Sequence, residues 1–85
     1  MRGIAFHAQG WEDFAWWAEQ NPTVFARLVR LISETAKDPF VGIGKPEPLK
    51  HKFKGYWSRR ITDEHRLVYK VTDVSIIVAA CRYHY

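Results

Sequence analysis

The stretch Lys52-Phe-Lys-Gly-Tyr-Trp-Ser-Arg-Arg-Ile61, Thr62-Asp-Glu-His-Arg-Leu-Val-Tyr-Lys-Val71, Thr72-Asp-Val-Ser-Ile-Ile-Val-Ala-Ala-Cys81 decides the fold, because its apolar period is two. Phe53, Trp57 and Ile61 alternate with Lys52, Lys54, Tyr56, Ser58 and Arg60, which predicts a strand over residues 52–61 with one apolar face and one basic, aromatic face. Thr62-Asp63-Glu64 reads as a turn into a second strand, Arg66 to Val71. Thr72-Asp73 turns into a third, from Ser75 to Tyr83 or beyond. Connections this short join antiparallel neighbours.

Upstream, the period changes. Asn21-Pro22 announces a helix, with Asn as N-cap and Pro at the first helical position, where its missing N–H removes no bond. Val24, Phe25, Leu28, Val29, Leu31, Ile32 and Ala36 then form one apolar arc, opposite Arg27, Arg30, Ser33 and Glu34. Such an arc needs a sheet to cover it. A shorter helix is predicted over 11–20, with Trp11, Phe14, Ala15 and Ala18 on its apolar face, Trp17 flanking it, and Glu12, Asp13 and Glu19 elsewhere. Trp16 falls off that face. Ile4 and Phe6 predict an inner strand over residues 2–7, ended by a break at Gln9-Gly10. Pro39 to Pro48 is too rich in Pro and Gly for a regular element. The sum is an α+β fold in the order β-α-α-β-β-β, two helices on one face of a small twisted, mostly antiparallel sheet whose other face stays open.

At 85 residues the chain has room for one domain, residues 1–85, and its 47% hydrophobic and 26% charged residues exclude disorder and simple repeats. Residues 1–44 carry four Lys/Arg and five Asp/Glu, net −1, while residues 45–85 carry nine and four, net +5. A basic half points to a phosphate-bearing or acidic partner, although a solvated face gives the same count. The one cysteine, Cys81, cannot form an internal disulfide, and no apolar run reaches the roughly 20 residues that span a bilayer. A reducing cytoplasm is the expected setting, without a membrane. Four dispersed His and one Cys offer no metal-ligand motif, and phosphate-cradling glycine loops and serine-nucleophile elbows are absent.

Three segments carry candidate chemistry. Glu47 stands between Pro46 and Pro48, each of which fixes its own φ and biases the residue before it toward extended backbone. A stiff arm suits a positioned base, although the loop taken alone reads first as a surface linker with a solvated Glu. Arg60 shares the open face with Lys52, Lys54 and Tyr56, Arg59 points with the apolar set or lies at its edge, and Arg66 can lie across from this face. Phosphates pair with Lys and Arg and bases stack on Tyr, so this face suits RNA, while edge protection by basic residues accounts for the same pattern. His84, in Cys81-Arg-Tyr-His-Tyr85, follows a strand and has aromatic neighbours to anchor it, which makes it a candidate acid.

Gly44-Lys-Pro-Glu-Pro-Leu-Lys-His51, Tyr56-Trp-Ser-Arg-Arg-Ile-Thr62, Glu64-His-Arg-Leu-Val-Tyr69 and Ala80-Cys-Arg-Tyr-His-Tyr85 together closely resemble the YoeB (Txe) toxins of the RelE/ParE superfamily. The resemblance implies a toxin of a type II toxin–antitoxin pair that cleaves mRNA in the ribosomal A site without a metal or other cofactor. By position it implies Glu47 as general base, Arg66 as the phosphate-stabilising arginine and His84 as general acid. Lys50 and Arg60 match supporting phosphate-binding positions, and Tyr85 the aromatic that seats the RNA. Implied partners are mRNA, the ribosome, a YefM-like antitoxin, operator DNA only through the antitoxin complex, and a second copy of the chain. A non-catalytic superfamily member that binds gyrase, or a nucleic-acid-binding module, is the alternative.

Overall fold

The computed structural model of the chain describes residues 1–83. It contains β1 (Gly3–Phe6), α1 (Ala8–Gln20), α2 (Pro22–Lys37), β2 (Glu47–Pro48), a 3₁₀ turn (His51–Phe53), β3 (Tyr56–Arg60), β4 (Arg66–Val71) and β5 (Ser75–Ala80). The five strands form one sheet in the order β1-β5-β4-β3-β2, with β1 parallel to β5 and the other pairs antiparallel. Both helices cover one face, as the sequence predicts.

Five local readings need correction. The first strand lies at the sheet edge, not inside it, because β5 takes the place between β1 and β4. Glu47–Pro48, expected to be irregular, pairs with Ser58 and Trp57 as a two-residue strand. This position lets proline sit on an edge strand, where no ladder donor is needed. The strand predicted from Lys52 begins at Tyr56, since Lys52 and Phe53 belong to the 3₁₀ turn and Gly55 adopts φ +98°. At the other end β5 stops at Ala80, where the backbone of Cys81 turns to bond helix side chains.

Gln9-Gly10 is not a break either. Both residues lie inside α1, and Gly10 is there because the helix presses on β5: a Cβ would come within 2.3 Å of the Val78 carbonyl oxygen. This contact also rotates the buried face of α1 to Gly10, Asp13 and Trp17, leaving Trp11 exposed. Asp13 accepts the Cys81 N–H at 3.0 Å, and the Trp17 indole N–H donates to the Cys81 carbonyl at 2.8 Å. A carboxylate that satisfies a buried backbone donor is worth burying.

α2 follows its sequence pattern closely. Asn21 accepts the Val24 N–H through its side chain, and Leu28, Leu31, Ile32 and Ala36 are buried against the sheet. The core continues through Ile61, Leu67, Tyr69, Ile76, Val78 and Cys81. No helix of the described residues is long and apolar enough to cross a membrane.

Gly10→Ala ought to stabilise an ordinary helix by about 1 kcal/mol. Against Val78 the sign reverses: we expect a loss of about 1–3 kcal/mol in urea denaturation, since the opposing atom is backbone and cannot swing aside. Burial, with Asp13 adding to it, pushes the Cys81 thiol up to about 12. Native protein should therefore resist iodoacetamide at pH 8.5 and react once unfolded. Because the unfolded thiol ionises first, its contribution to folding should be complete below pH 9.0 and decline as pH rises toward about 12.

Candidate active site on the open sheet face

Residues paired across neighbouring strands share a face, so the register builds the site. Glu47 pairs with Ser58, Ser58 with Val68, and Val68 with Ala80, which forms one row across four strands. Arg60 pairs with Arg66 two residues along, on the same side. Glu47, Arg60 and Arg66 are therefore brought to one face, opposite the helices. Between Val68 and Tyr69 the β4–β5 register shifts, giving a bulge at Ala79.

The face is not flat. A concavity of about 400 Å³ is lined by Lys52, Phe53, Tyr56, Val68, Arg82 and Tyr83. Ser58 and Val68 are buried within this region, whereas Glu47, Lys50 and Arg60 are exposed. Lys50 lies just past β2, before the 3₁₀ turn. His84 and Tyr85 lie outside the described residues.

Arg66 is half-buried and its Nη1 donates to the carbonyls of Thr62 (2.7 Å), Asp63 and His65 (both 3.1 Å). These bonds hold the guanidinium against the β3–β4 turn. Its Nε and Nη2 carry the remaining N–H donors and bond nothing among the described residues. Such an arginine is oriented in advance yet keeps donors for an anion. Arg60 faces outward, and its carbonyl, with that of Ile61, accepts from Arg27 of α2.

Of the two placements the sequence leaves open for Arg59, the structure takes the one with the apolar set, and the side chain is fully buried. Its guanidinium donates to the carbonyls of Asp38, Val41 and Ile43 and to the Tyr69 hydroxyl, which in turn donates to the Pro39 carbonyl at 2.6 Å. Burial pushes the Tyr69 phenol above its ordinary value, an effect partly opposed by Arg59. The irregular loop that delivers Glu47 is thus fixed from below. Gly44 completes the attachment by accepting the Arg60 N–H at 2.6 Å; its φ of +79° and the 2.8 Å approach of a Leu31 methyl to a built Cβ explain the glycine.

Two features escaped the sequence reading. Trp16, left without a partner there, stacks on the Arg82 guanidinium at 3.6 Å, and Arg82 also lies 4.8 Å from the Tyr83 ring. His65, quoted only within a motif, accepts the Tyr83 N–H. A histidine beside a candidate phosphate-binding arginine was the available signal. No group of His, Cys, Asp and Glu able to hold a metal is present among the described residues.

Residues 6–85 match the family of YoeB-like toxins of bacterial type II toxin–antitoxin systems. The chain is 56% identical over 82 residues to the toxin YoeB of Streptomyces coelicolor, covering 96% of this chain and 98% of the relative. A YoeB/ParE toxin structure from Agrobacterium tumefaciens superposes with TM-score 0.93 at 40% identity, covering 98% and 99% of the two chains. The toxin in a heterotetrameric YoeB–YefM complex from Staphylococcus aureus gives TM-score 0.89 at 40% identity over 100% and 99%.

Arg59→Lys tests how the loop is held. One ammonium cannot serve carbonyls spread over Asp38, Val41 and Ile43, so stability should fall by about 2–4 kcal/mol, read as a lower urea midpoint with an unchanged slope. The same change at the neighbouring exposed position, Arg60→Lys, should cost under about 0.5 kcal/mol.

Proposed function

The chain belongs to the YoeB-like toxins of bacterial type II toxin–antitoxin systems, and on that premise we propose that it is a ribosome-dependent, metal-independent endoribonuclease that cuts mRNA in the ribosomal A site. The observation that supports this reading best is the register that brings Glu47 and Arg66 to one face, beside the segment leading to His84. Glu47 stands two strand spacings from β4, about 10 Å between backbones, so the long side chains of Glu47 and Arg66 can approach a sugar-phosphate step from opposite sides.

In this mechanism the Glu47 carboxylate removes the proton of a ribose 2′-hydroxyl. The 2′-oxygen bonds to phosphorus, and charge accumulating on the phosphoryl oxygens meets the N–H groups at Nε and Nη2 of Arg66. The bond from phosphorus to the 5′-oxygen then breaks, and His84 donates its proton to that oxygen. The products are a 2′,3′-cyclic phosphate and a free 5′-hydroxyl. Lys50, Arg60 and Tyr85 bind substrate, the cations through phosphate and Tyr85 through a base.

Silencing follows from the family. The S. aureus relative is seen with YefM, and we assign this chain a YefM-like antitoxin that also carries the pair to operator DNA. The toxin acts in the cytoplasm as one domain, free or as a homodimer.

Glu47→Ala and His84→Gln should each lower single-turnover cleavage on programmed ribosomes by about 10²–10⁴-fold, without loss of ribosome binding. Lys50→Ala and Arg60→Ala should instead weaken binding and flatten its salt dependence by somewhat under one unit of slope each. mRNA left intact on programmed ribosomes by wild-type protein would overturn the ribonuclease reading.

A further inference from the structure

Tyr83 has an unusual backbone: its φ is +63°, a left-handed conformation costing a non-glycine residue roughly 1–2 kcal/mol. Such strain persists only where neighbours over-determine it. Here both backbone groups of Tyr83 are held by adjacent residues of one turn. Its carbonyl accepts the Arg66 N–H at 3.1 Å, and its N–H donates to His65 Nδ1 at 2.7 Å.

The His65 ring is itself well fixed. Its side chain is only 13% exposed, and Nε2 lies 3.8 Å from the Glu64 carboxylate. It meets the Trp17 ring edge-on at 4.8 Å, and Trp17 bonds the Cys81 carbonyl on the same C-terminal segment. In the backbone, the His65 carbonyl accepts from Ile61 and Thr62, and its N–H bonds the Thr62 hydroxyl. With Nδ1 engaged as an acceptor, the ring proton belongs on Nε2.

We propose that His65 is a positioning residue: by accepting the Tyr83 N–H at Nδ1, it sets Tyr83, the residue before His84 in the sequence, against Arg66. The same turn clamps the Arg66 guanidinium through the carbonyls of Thr62, Asp63 and His65. One short turn therefore holds Arg66 and anchors Tyr83, the residue that precedes His84 in the sequence. We assign His65 no contact with a reacting atom: its Nδ1 is spent on the backbone and its Nε2 faces Glu64. The effect on cleavage rests on the ribonuclease reading; the anchoring of Tyr83 does not.

Two substitutions separate acceptor from ring. His65→Asn keeps an acceptor oxygen near the Nδ1 position and loses the aromatic contacts with Trp17 and Tyr83. His65→Phe keeps the ring and loses the acceptor. Hydrogen exchange of the Tyr83 amide, followed by NMR, should accelerate at least about tenfold in the phenylalanine variant and stay within about threefold of wild type in the asparagine variant. Cleavage on programmed ribosomes should follow the same order, lowered about tenfold or more in kcat with KM unchanged for His65→Phe. A residue that merely packs would give the opposite ranking, and that ranking overturns the proposal. Nitrogen shifts of the wild-type imidazole give a check independent of either variant: a protonated Nδ1 also overturns it. If Tyr83 exchange ranks as expected while wild type leaves mRNA intact, the anchor stands and only the ribonuclease reading falls.

Discussion

A guanidinium with no exposed surface has to find its compensation inside the protein, and the burial of Arg59 sets much of what surrounds it. The compensation comes from carbonyl dipoles at Asp38, Val41 and Ile43 and from the Tyr69 hydroxyl. The three carbonyls lie on a loop without a ladder of its own, so the charge in the core does for residues 38–43 what neighbouring strands do for β4. The demand runs both ways. Loosening the loop would strand a buried cation, and losing the cation would strand buried carbonyls. A segment rich in proline and glycine is in this way held in one arrangement, and it hands on to Glu47 from a fixed point.

From that point the architecture separates stability from chemistry. The helices and the apolar side of the sheet enclose the core, while the opposite side carries Glu47, Arg60 and Arg66 with less hydrophobic purpose. An antiparallel sheet allows this division because its side chains alternate and only one face needs cover. The division is incomplete, since the 3₁₀ turn and the C-terminal segment shape a concavity over Val68. Arg66 belongs to both regimes: its Nη1 serves the turn carbonyls, and its other nitrogens bond nothing among the described residues.

Elements written in local pattern were legible in the sequence. Asn21-Pro22 and the arc from Val24 to Ala36 specify α2, and the period of two specifies the β3–β5 meander and the opposite orientations of Arg59 and Arg60. The elements misread were those decided by partners distant along the chain. Gly10 looks like a break until Val78 is placed against it, and Asp13 looks solvated until Cys81, 68 residues away, supplies its donor. β2 is invisible by composition because its pairing comes from β3. The shared face of Glu47, Arg60 and Arg66 needed that register; the roles assigned to them came from motif resemblance, which carried no information about His65 or Trp16.

The position of β5 also imposes an order on biosynthesis. It is the strand that β1 and β4 both require, and it brings Ile76 and Val78 to the core. While the ribosome has made the chain only to Val74, β1 has no partner, α1 has no strand beneath Gly10, and the core lacks its centre. The nascent segment can form helices and the β3–β4 hairpin, but not the closed sheet. Closure of the five-stranded sheet is thereby postponed until Ser75–Ala80 has left the exit tunnel, a delay that topology alone enforces on a member of a toxin family.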